Sequence, residues 1–260
     1  MRVTVCELPH EQAALGDAWA ALCEHTSRES SELVLLPEFA MVEPVWELEH
    51  FDLGRWSDAE ALSDSWLARL PELNAAHVVG TRPITMEGQL FNQGYVASAA
   101  AGVVPLRRKF FLPDQPGSWE ARWYDRGDAD FPVYRAGALS FGLNICTELW
   151  AVESYAAYAQ CDVHAILSPR ATAAATWDKW LSVGVVAAVR SGAFSLSSNR
   201  VDSAGTCGGG SWIISPDGEI LATTTCDVPF VTLDIDLNAP IAARASYPRY
   251  VFGEPSTSRK

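Results

Sequence analysis

The chain has 260 residues, 48% of them apolar and 20% charged, and carries a net charge of −13. This length and composition are those of a globular protein that buries a large core, and they predict one domain over 1–260 with a loose tail at about 254–260. The acidic balance argues against nucleic-acid binding, which needs clustered Lys and Arg. No apolar run approaches the ~20 residues of a membrane span. The six scattered cysteines and an N-terminus without a signal-peptide pattern predict free thiols and a cytoplasmic protein.

Strand-like and helix-like patterns alternate along most of the chain. Helices are predicted at 57–70, where Ser57 to Glu60 form a capping-box pattern, and at 152–159 and 176–190. Strands are predicted at 1–6, 33–36, 77–80, 94–97, 103–108, 138–145, 163–167 and 193–198.

The C-terminal part has a different character. Segments 211–215 and 219–222 flank an Asp-Gly turn and predict a hairpin, and 230–235 predicts a last strand. Helices mixed with strands, followed by antiparallel strands, predict an α/β fold. Its strands form either one mixed sheet or two sheets packed face to face with helices outside.

Three polar residues stand where apolar segments end: Glu38, Lys109 and Cys146. Because α/β proteins bind ligands at the carboxyl ends of strands, these side chains are expected to meet there. The carboxylate would take the thiol proton, the thiolate would attack a carbonyl, and the ammonium would face the developing oxyanion. Each also has an ordinary interpretation, as a helix-start carboxylate, a surface charge and a packed thiol.

Other signals are weaker. The glycine-rich segment 205–211 lacks the Gly-Lys-Ser/Thr ending of a phosphate loop, and a flexible loop near the site is the preferred interpretation. Cys207 within it is a rival nucleophile, although no strand directly precedes it. The five His residues show no metal-ligand spacing, so no metal site is predicted.

Taken together, these segments resemble the nitrilase, or carbon–nitrogen hydrolase, superfamily. The likeness extends over nearly the whole chain, and five motifs occur in the family's order. They are a glutamate motif at 35–39, a lysine motif at 107–113, a second glutamate at Glu120, a cysteine motif at 142–146 and a closing strand pair at 209–221.

The resemblance implies a four-layer αββα sandwich, with two mixed β-sheets packed face to face and helices outside. It also implies a homodimer and hydrolysis of a small amide through a thioester, without metal or organic cofactor. Cys146 would be the nucleophile and Glu38 the general base. Lys109 and the N–H of Thr147 would stabilise the oxyanion, and Glu120 would orient the lysine or the substrate. A neighbouring ammonium and a helix N-terminus would favour the thiolate.

The sequence also departs from the family's patterns. Thr147 to Trp150 replace the Trp-Glu that usually follows the cysteine in nitrilases, so an amide is favoured over a nitrile. No Arg follows the cysteine closely, as in many carbamoyl-amino-acid hydrolases, and the altered pattern at 189–193 indicates an outlying subgroup. The alternatives are nitrile hydrolysis or acyl transfer by the same thioester route. A catalytically silent homologue that binds a small molecule or serves as an assembly subunit is a further alternative.

Candidate substrate-binding residues follow from position alone. Arg170 stands beyond the strand at 163–167 and could hold a substrate carboxylate bidentately, or it could pair with a structural acid such as Glu148. Glu148 itself is a candidate contact. The pocket could also be lined by Trp123, Trp150 and Trp177, although aromatic side chains more often belong to the core.

Overall fold

The computed structural model describes residues 1–252, so the predicted tail at 254–260 lies outside the described residues. Twelve strands lie within this range. They are β1 (Arg2–Pro9), β2 (Leu33–Leu35), β3 (His77–Met86), β4 (Gln89–Ser98), β5 (Gly102–Arg108), β6 (Val133–Ala136), β7 (Leu139–Leu143), β8 (Ala165–Arg170), β9 (Phe194–Val201), β10 (Trp212–Ile214), β11 (Ile220–Thr223) and β12 (Phe230–Asp234). The α-helices are α1 (Gln12–Glu29), α2 (Leu53–Leu67), α3 (Glu120–Trp123), α4 (Glu153–Gln160), α5 (Trp177–Ser191) and α6 (Ala239–Arg244).

The strands form two mixed sheets, as the family resemblance predicted. The first sheet has the order β12-β1-β2-β3-β4-β5, and the second has the order β6-β7-β8-β9-β10-β11. Strands β1, β2 and β3 are parallel to one another, as are β7, β8 and β9. Strand β1 joins the sheets, because Val3 to Val5 pair with β2 while Glu7 to Pro9 pair with β9.

Alternation along the central strands explains the four layers. On β2, Leu33 and Leu35 belong to an apolar cluster that also contains Phe141 and Leu167 of the second sheet. The intervening Val34 belongs to a cluster with residues of α1 and α2. A third cluster joins the outer face of the second sheet to α4 and α5. Because both faces of each sheet are covered, the central strands read as continuous apolar runs.

The sequence analysis missed helices α1, α3 and α6 and placed the start of α2 too late. Helix α1 was missed although Leu15, Trp19, Leu22 and Thr26 recur at helical spacing on its buried face. Helix α2 begins at Leu53 and not at Ser57: Asp52 is the N-cap, and its side chain accepts a hydrogen bond from the N–H of Arg55. Ser57 and Glu60, which look like a capping box, therefore lie inside the helix.

The topology brings several strand ends to one side of the molecule. Strand β5 runs antiparallel to β4, which runs antiparallel to β3, so β5 has the same direction as β2 and β3. The segments that follow β2, β5 and β7 carry Glu38, Lys109 and Cys146. Within residues 1–252, no helix is both long enough and apolar enough to cross a bilayer.

Candidate active site

A buried ammonium lies between two carboxylates at the carboxyl ends of the first sheet's strands. Nζ of Lys109 lies 2.8 Å from Oε1 of Glu38 and 2.8 Å from Oε1 of Glu120. Lys109 directly follows β5, and Glu120 begins α3. All three side chains are almost fully buried. The structure therefore brings Glu38 and Lys109, which the strand-end pattern grouped, together with Glu120, which the family resemblance implied.

The carboxylate of Glu38 is held through one of its oxygens. Nδ2 of Asn92, on β4, donates to Oε1 over 2.8 Å, the same oxygen that binds Lys109. The other oxygen, Oε2, is buried and accepts no hydrogen bond from the described residues. The carboxylate is thus oriented on one side and free to accept a proton on the other.

The chain around Glu38 is fixed by its neighbours. Phe39 has a φ of 44°, a left-handed conformation that costs energy for a non-glycine residue. Its N–H donates to Oγ1 of Thr81 over 2.8 Å, and its carbonyl accepts from Nη1 of Arg200 over 2.9 Å. The N–H of Glu38 itself donates to the carbonyl of Arg170 over 3.2 Å. These bonds position the general-base candidate through its backbone.

Cys146 sits on a strained turn after β7. Its φ is 49°, and it is the first residue of a 3₁₀ helix, Cys146–Trp150. Left-handed backbone at a non-glycine residue costs energy, and such strained residues cluster at functional sites. The thiol is only 5% exposed and feels the charges of Glu38, Lys109 and Glu120. The nucleophile candidate therefore shares one electrostatic environment with the buried cluster.

The resting state of this thiol is protonated. Burial raises the pKa of Cys146, and Glu38 and Glu120 raise it further, while Lys109 and a backbone bond at Ala171 lower it. The expectation that the ammonium would favour a resting thiolate is therefore wrong, because desolvation and two carboxylates outweigh one cation. An attacking sulfur would need a base to take its proton, and Glu38 is close enough for its charge to raise the pKa of the thiol.

The cluster shifts the ionisation of its other members as well. Burial alone would lower the pKa of Lys109, but Glu120 and Glu38 outweigh burial and raise it, so the side chain stays an ammonium. Burial raises the pKa of Glu120 to about 7, although Lys109 opposes that shift. Glu120 therefore titrates in the neutral range, while Lys109 does not.

Cys146 and Glu120 both open onto one cavity of about 660 Å³. Its walls come from the turn after β7, the segment after β8, the loop before α3 and the glycine-rich loop. The lining residues are Trp46, Glu47, Pro113, Gln115, Pro116, Gly117, Ser118, Glu120, Cys146, Thr147, Ala171, Thr172, Ala173, Thr176, Trp180, Thr206 and Cys207. Thr147, the predicted oxyanion donor, is thus placed at the cavity beside the sulfur.

Glu148 does not reach this cavity, so its prediction as a substrate contact is wrong. Its carboxylate is fully buried and forms a two-armed ion pair with Arg107. It also accepts from the N–H groups of Phe110 and Ile145, over 2.8 Å and 3.0 Å. Because four donors already bind it, this carboxylate holds the backbone around the site in place and has no oxygen left for a substrate.

Arg170 neither lines the cavity nor pairs with Glu148. Both predictions for it, a contact to a substrate carboxylate and an ion pair with Glu148, are therefore wrong. Its guanidinium is completely buried and donates to Oγ of Ser197, Oγ1 of Thr172 and the carbonyl of Gly210. It also lies 4.0 Å from the ring of Trp212. Arg170 therefore holds the segment between β8 and the glycine-rich loop from within.

The three predicted tryptophans line other parts of the molecule. Trp123 is buried against Phe51, and its indole N–H donates to the carbonyl of Leu48. Trp177 donates to the carbonyl of Gly210. Trp150 is 47% exposed and lines a neighbouring cavity of about 460 Å³. Trp180, one turn along α5 from Trp177, lines both cavities instead.

Sequence reasoning missed several residues that shape the site. Asn92 could have been noticed, because a polar side chain interrupts the apolar pattern of β4. Tyr124 feels the charges of Glu120 and Glu38, and burial is the main reason that its pKa is raised. Trp46 and Glu47 lie in the short 3₁₀ helix Val45–Glu47, and no sequence pattern places them at a pocket wall. Only the folded chain reveals the contributions of Tyr124, Trp46 and Glu47.

Comparison with known proteins decides the family. A model of the carbon-nitrogen hydrolase family matches residues 2–245. The chain belongs to the carbon–nitrogen hydrolase family. The fold of this carbon–nitrogen hydrolase is similar to that of a carbon-nitrogen hydrolase from Helicobacter pylori G27, with a TM-score of 0.84 and 19% identity over 96% of this chain and 94% of that one.

Two further structures share the fold of this carbon–nitrogen hydrolase. A CN-hydrolase superfamily protein from Xanthomonas campestris, with an arsenic adduct in its active site, has a TM-score of 0.76 and 19% identity over 98% of this chain and 97% of that one. A mutant amidase from Nesterenkonia sp. AN1 shows Michael addition of acrylamide at its active-site cysteine. It has a TM-score of 0.75 and 18% identity over 94% of this chain and 97% of that one.

Proposed function

We propose that this carbon–nitrogen hydrolase is a cysteine-dependent amidase that acts on a small amide through a thioester acyl-enzyme. The observation that carries the proposal is the buried cluster of Glu38, Lys109 and Glu120, whose charges act on the thiol of Cys146 at the wall of a cavity. This set supplies a base, a nucleophile and a fixed cation, which are the groups that acyl transfer requires.

In the first half of the reaction, Oε2 of Glu38 takes the thiol proton as the sulfur of Cys146 attacks the amide carbonyl. The carbonyl oxygen becomes an oxyanion, which the ammonium of Lys109 and the N–H of Thr147 stabilise. Glu38 then returns the proton to the amide nitrogen. The C–N bond breaks, ammonia or an amine leaves, and the acyl group remains on the sulfur as a thioester.

In the second half, Glu38 takes a proton from water, and the resulting hydroxide equivalent attacks the thioester carbonyl. The new tetrahedral intermediate collapses with cleavage of the C–S bond. Glu38 returns its proton to the sulfur, and the carboxylic acid leaves. The sum of both halves is one amide and one water converted into one acid and one ammonia or amine.

Two observations support an amidase over a nitrilase. The residues after Cys146 differ from the usual nitrilase pattern. The Nesterenkonia protein with the same fold is an amidase, and a mutant of it carries the acetamide moiety of fluoroacetamide on its active-site cysteine. The presence of the complete buried cluster also argues against a catalytically silent homologue.

The deciding experiment measures ammonia release from small aliphatic and aromatic amides, with the matching nitriles and carbamoyl compounds in parallel. We expect amides to be hydrolysed fastest. Rapid quenching followed by mass spectrometry should find the acyl group on the Cys146 peptide. The exposed thiols of Cys161 and Cys226 serve as internal controls and should remain unmodified. Nitriles hydrolysed faster than amides, or an absence of both ammonia and acyl-enzyme, would contradict the proposal.

We also propose that the protein forms a homodimer, as the family resemblance implies. Large apolar side chains on α6 and the turn after it are more than half exposed, among them Ile241, Tyr250 and Phe252. A second copy of the chain would shield such a surface. Sedimentation velocity measures the mass directly, and a monomer at micromolar concentration would contradict this assignment.

A further inference from the structure

The charges around the cavity are unbalanced. The buried cluster sets one ammonium, Lys109, against the two carboxyl groups of Glu38 and Glu120. The cavity wall adds the carboxylate of Glu47, and none of the lining residues from the described part of the chain is Lys, Arg or His. The space in which the substrate binds therefore has a negative potential, which disfavours a substrate carboxylate.

Glu47 is a carboxylate in this wall that forms no ion pair with the described residues. It ends the 3₁₀ helix Val45–Glu47 and lies close enough to Cys207, another lining residue, to raise the pKa of that thiol. Burial and the like charge of Asp202 both raise the pKa of Glu47 itself. A cation beside this carboxylate would relieve both effects, since it would replace lost water and offset the neighbouring charge.

The two buried guanidinium groups near this wall do not supply that cation, and His10 and Arg55 share with Glu47 only a second cavity that does not contain the sulfur. Arg200 is fully buried, and its Nη1 and Nη2 donate to the carbonyls of Phe39 and Val42. The guanidinium of Arg170 likewise donates its hydrogen bonds to Ser197, Thr172 and the carbonyl of Gly210. Neither of these guanidinium groups lines the cavity.

The rest of the wall suits an organic cation. The cavity is also lined by Trp46 and Trp180, and tryptophan rings attract ammonium groups through their negative faces. Thr172, Thr176 and Gln115 add hydroxyl and carbonyl acceptors. An ammonium group carried by the substrate would find a carboxylate, aromatic faces and neutral acceptors in the same space as the sulfur.

We infer that the substrate of this cavity is an amide with a positively charged group at its far end, and that Glu47 is the residue that selects for that charge. The inference rests on the proposed amidase function and names its substrate class. It replaces the carboxylate-bearing substrate that Arg170 suggested. Basic Arg126 lines the adjoining cavity, beside Phe111 and Trp150, and that cavity shares Thr147 and Trp180 with the one that contains the sulfur.

The test separates binding from turnover. Three amides of similar length are compared: δ-aminovaleramide is cationic, hexanamide is neutral and glutaramate is anionic. Their binding to the Cys146→Ala variant is measured by calorimetry, so the result does not depend on hydrolysis. We expect the cationic amide to bind about tenfold tighter than the neutral one, the scale of one charge-assisted contact, and the anionic amide to bind weakest. Added salt should reduce the difference.

The decisive variant adds Glu47→Gln to Cys146→Ala, which keeps shape and removes charge. The ratio of the dissociation constants of the cationic and neutral amides should then approach one. Glu43→Gln is the matched control, because Glu43 lies in the same loop but does not line this cavity, and it should keep the wild-type ratio. Equal binding of all three amides, or a ratio that survives Glu47→Gln, overturns the inference. Turnover of the same amides by the unmodified protein separately tests the amidase function.

Discussion

Arg107 and Glu148 form a buried ion pair that joins the lysine-bearing strand to the cysteine-bearing turn. Nη2 of the arginine lies 2.9 Å from Oε1 of the carboxylate, and Nη1 binds the other oxygen. Glu148 also binds the N–H of Phe110, which follows Lys109, and the N–H of Ile145, which precedes Cys146. One carboxylate therefore sets the position of the candidate oxyanion-binding cation relative to the candidate nucleophile.

Removal of this carboxylate should harm stability and activity together. Glu148→Ala leaves Arg107 as an uncompensated buried charge, and we expect the free energy of unfolding to fall by about 3–5 kcal/mol. The kcat should fall as well, because Lys109 and Cys146 lose their common support. Denaturant unfolding and steady-state kinetics measure the two effects. As a control, Glu29→Ala removes an exposed pair with Arg28 and should change stability by at most about 1 kcal/mol. A similar small change in Glu148→Ala would disprove the bracing role.

Loss of the buried ammonium should act on the chemical step. Lys109→Ala removes the cation that we propose faces the oxyanion, and we expect kcat to fall by ~100-fold or more. The neighbouring Arg108→Ala is the control, because Arg108 pairs with the exposed Asp128 on the surface and should leave kcat nearly unchanged. If Lys109→Ala raises KM alone, the residue binds substrate in its ground state and does not stabilise the transition state.

The titration of Glu120 should be visible in stability. Its pKa is raised in the fold from 4.5 to about 7, chiefly by burial. The protonated form is therefore favoured in the folded state, and its stabilising contribution is complete below pH 4.5 and is lost as pH rises through about 7. Relative to Glu120→Gln, the wild-type protein should lose up to about 3 kcal/mol across that window. Denaturant unfolding at a series of pH values gives the difference, and parallel curves for the two proteins would refute the shift.

The sulfur at position 146 should be essential for turnover and dispensable for folding. Cys146→Ala should abolish ammonia release yet retain a cooperative thermal transition, because the change removes only one sulfur atom from a side chain at a cavity wall. Iodoacetamide should label the exposed Cys161 and Cys226 faster, since burial raises the pKa of Cys146. A variant that keeps wild-type activity would transfer the nucleophile role elsewhere, with Cys207 the first candidate because it lines the same cavity.

The position of polar residues at the ends of apolar strands predicted the centre of the candidate site. Glu38, Lys109 and Cys146 each follow an apolar segment, and the parallel directions of β2, β5 and β7 carry them to one place. Helical periodicity placed α4 and α5 as well. These predictions need only the local sequence pattern and the fact that parallel strands end at the same edge of a sheet. They do not require knowledge of which side chains are in contact.

Partner choice could not be predicted in the same way. Arg170 and Glu148 are both buried near the site, but Glu148 pairs with Arg107 and Arg170 binds hydroxyl and carbonyl oxygens. Trp177 and Trp180 lie one turn apart on α5, and the packing of that helix alone decides that Trp180 lines the cavity. Which side chains pair depends on distances of a few ångströms between segments far apart in sequence. The periodicity of a sequence does not contain that information.

Strand β1 pairs with β9 and β12 as well as β2, and this has a consequence for biosynthesis. During synthesis, β1 finds its antiparallel neighbour only when Phe230 to Asp234 have been made. Its parallel neighbour β9 also comes late in the chain. Closure of the sandwich is therefore a late, long-range event, and a nascent chain stalled before β12 would expose an unpaired edge of β1 to chaperones or to aggregation.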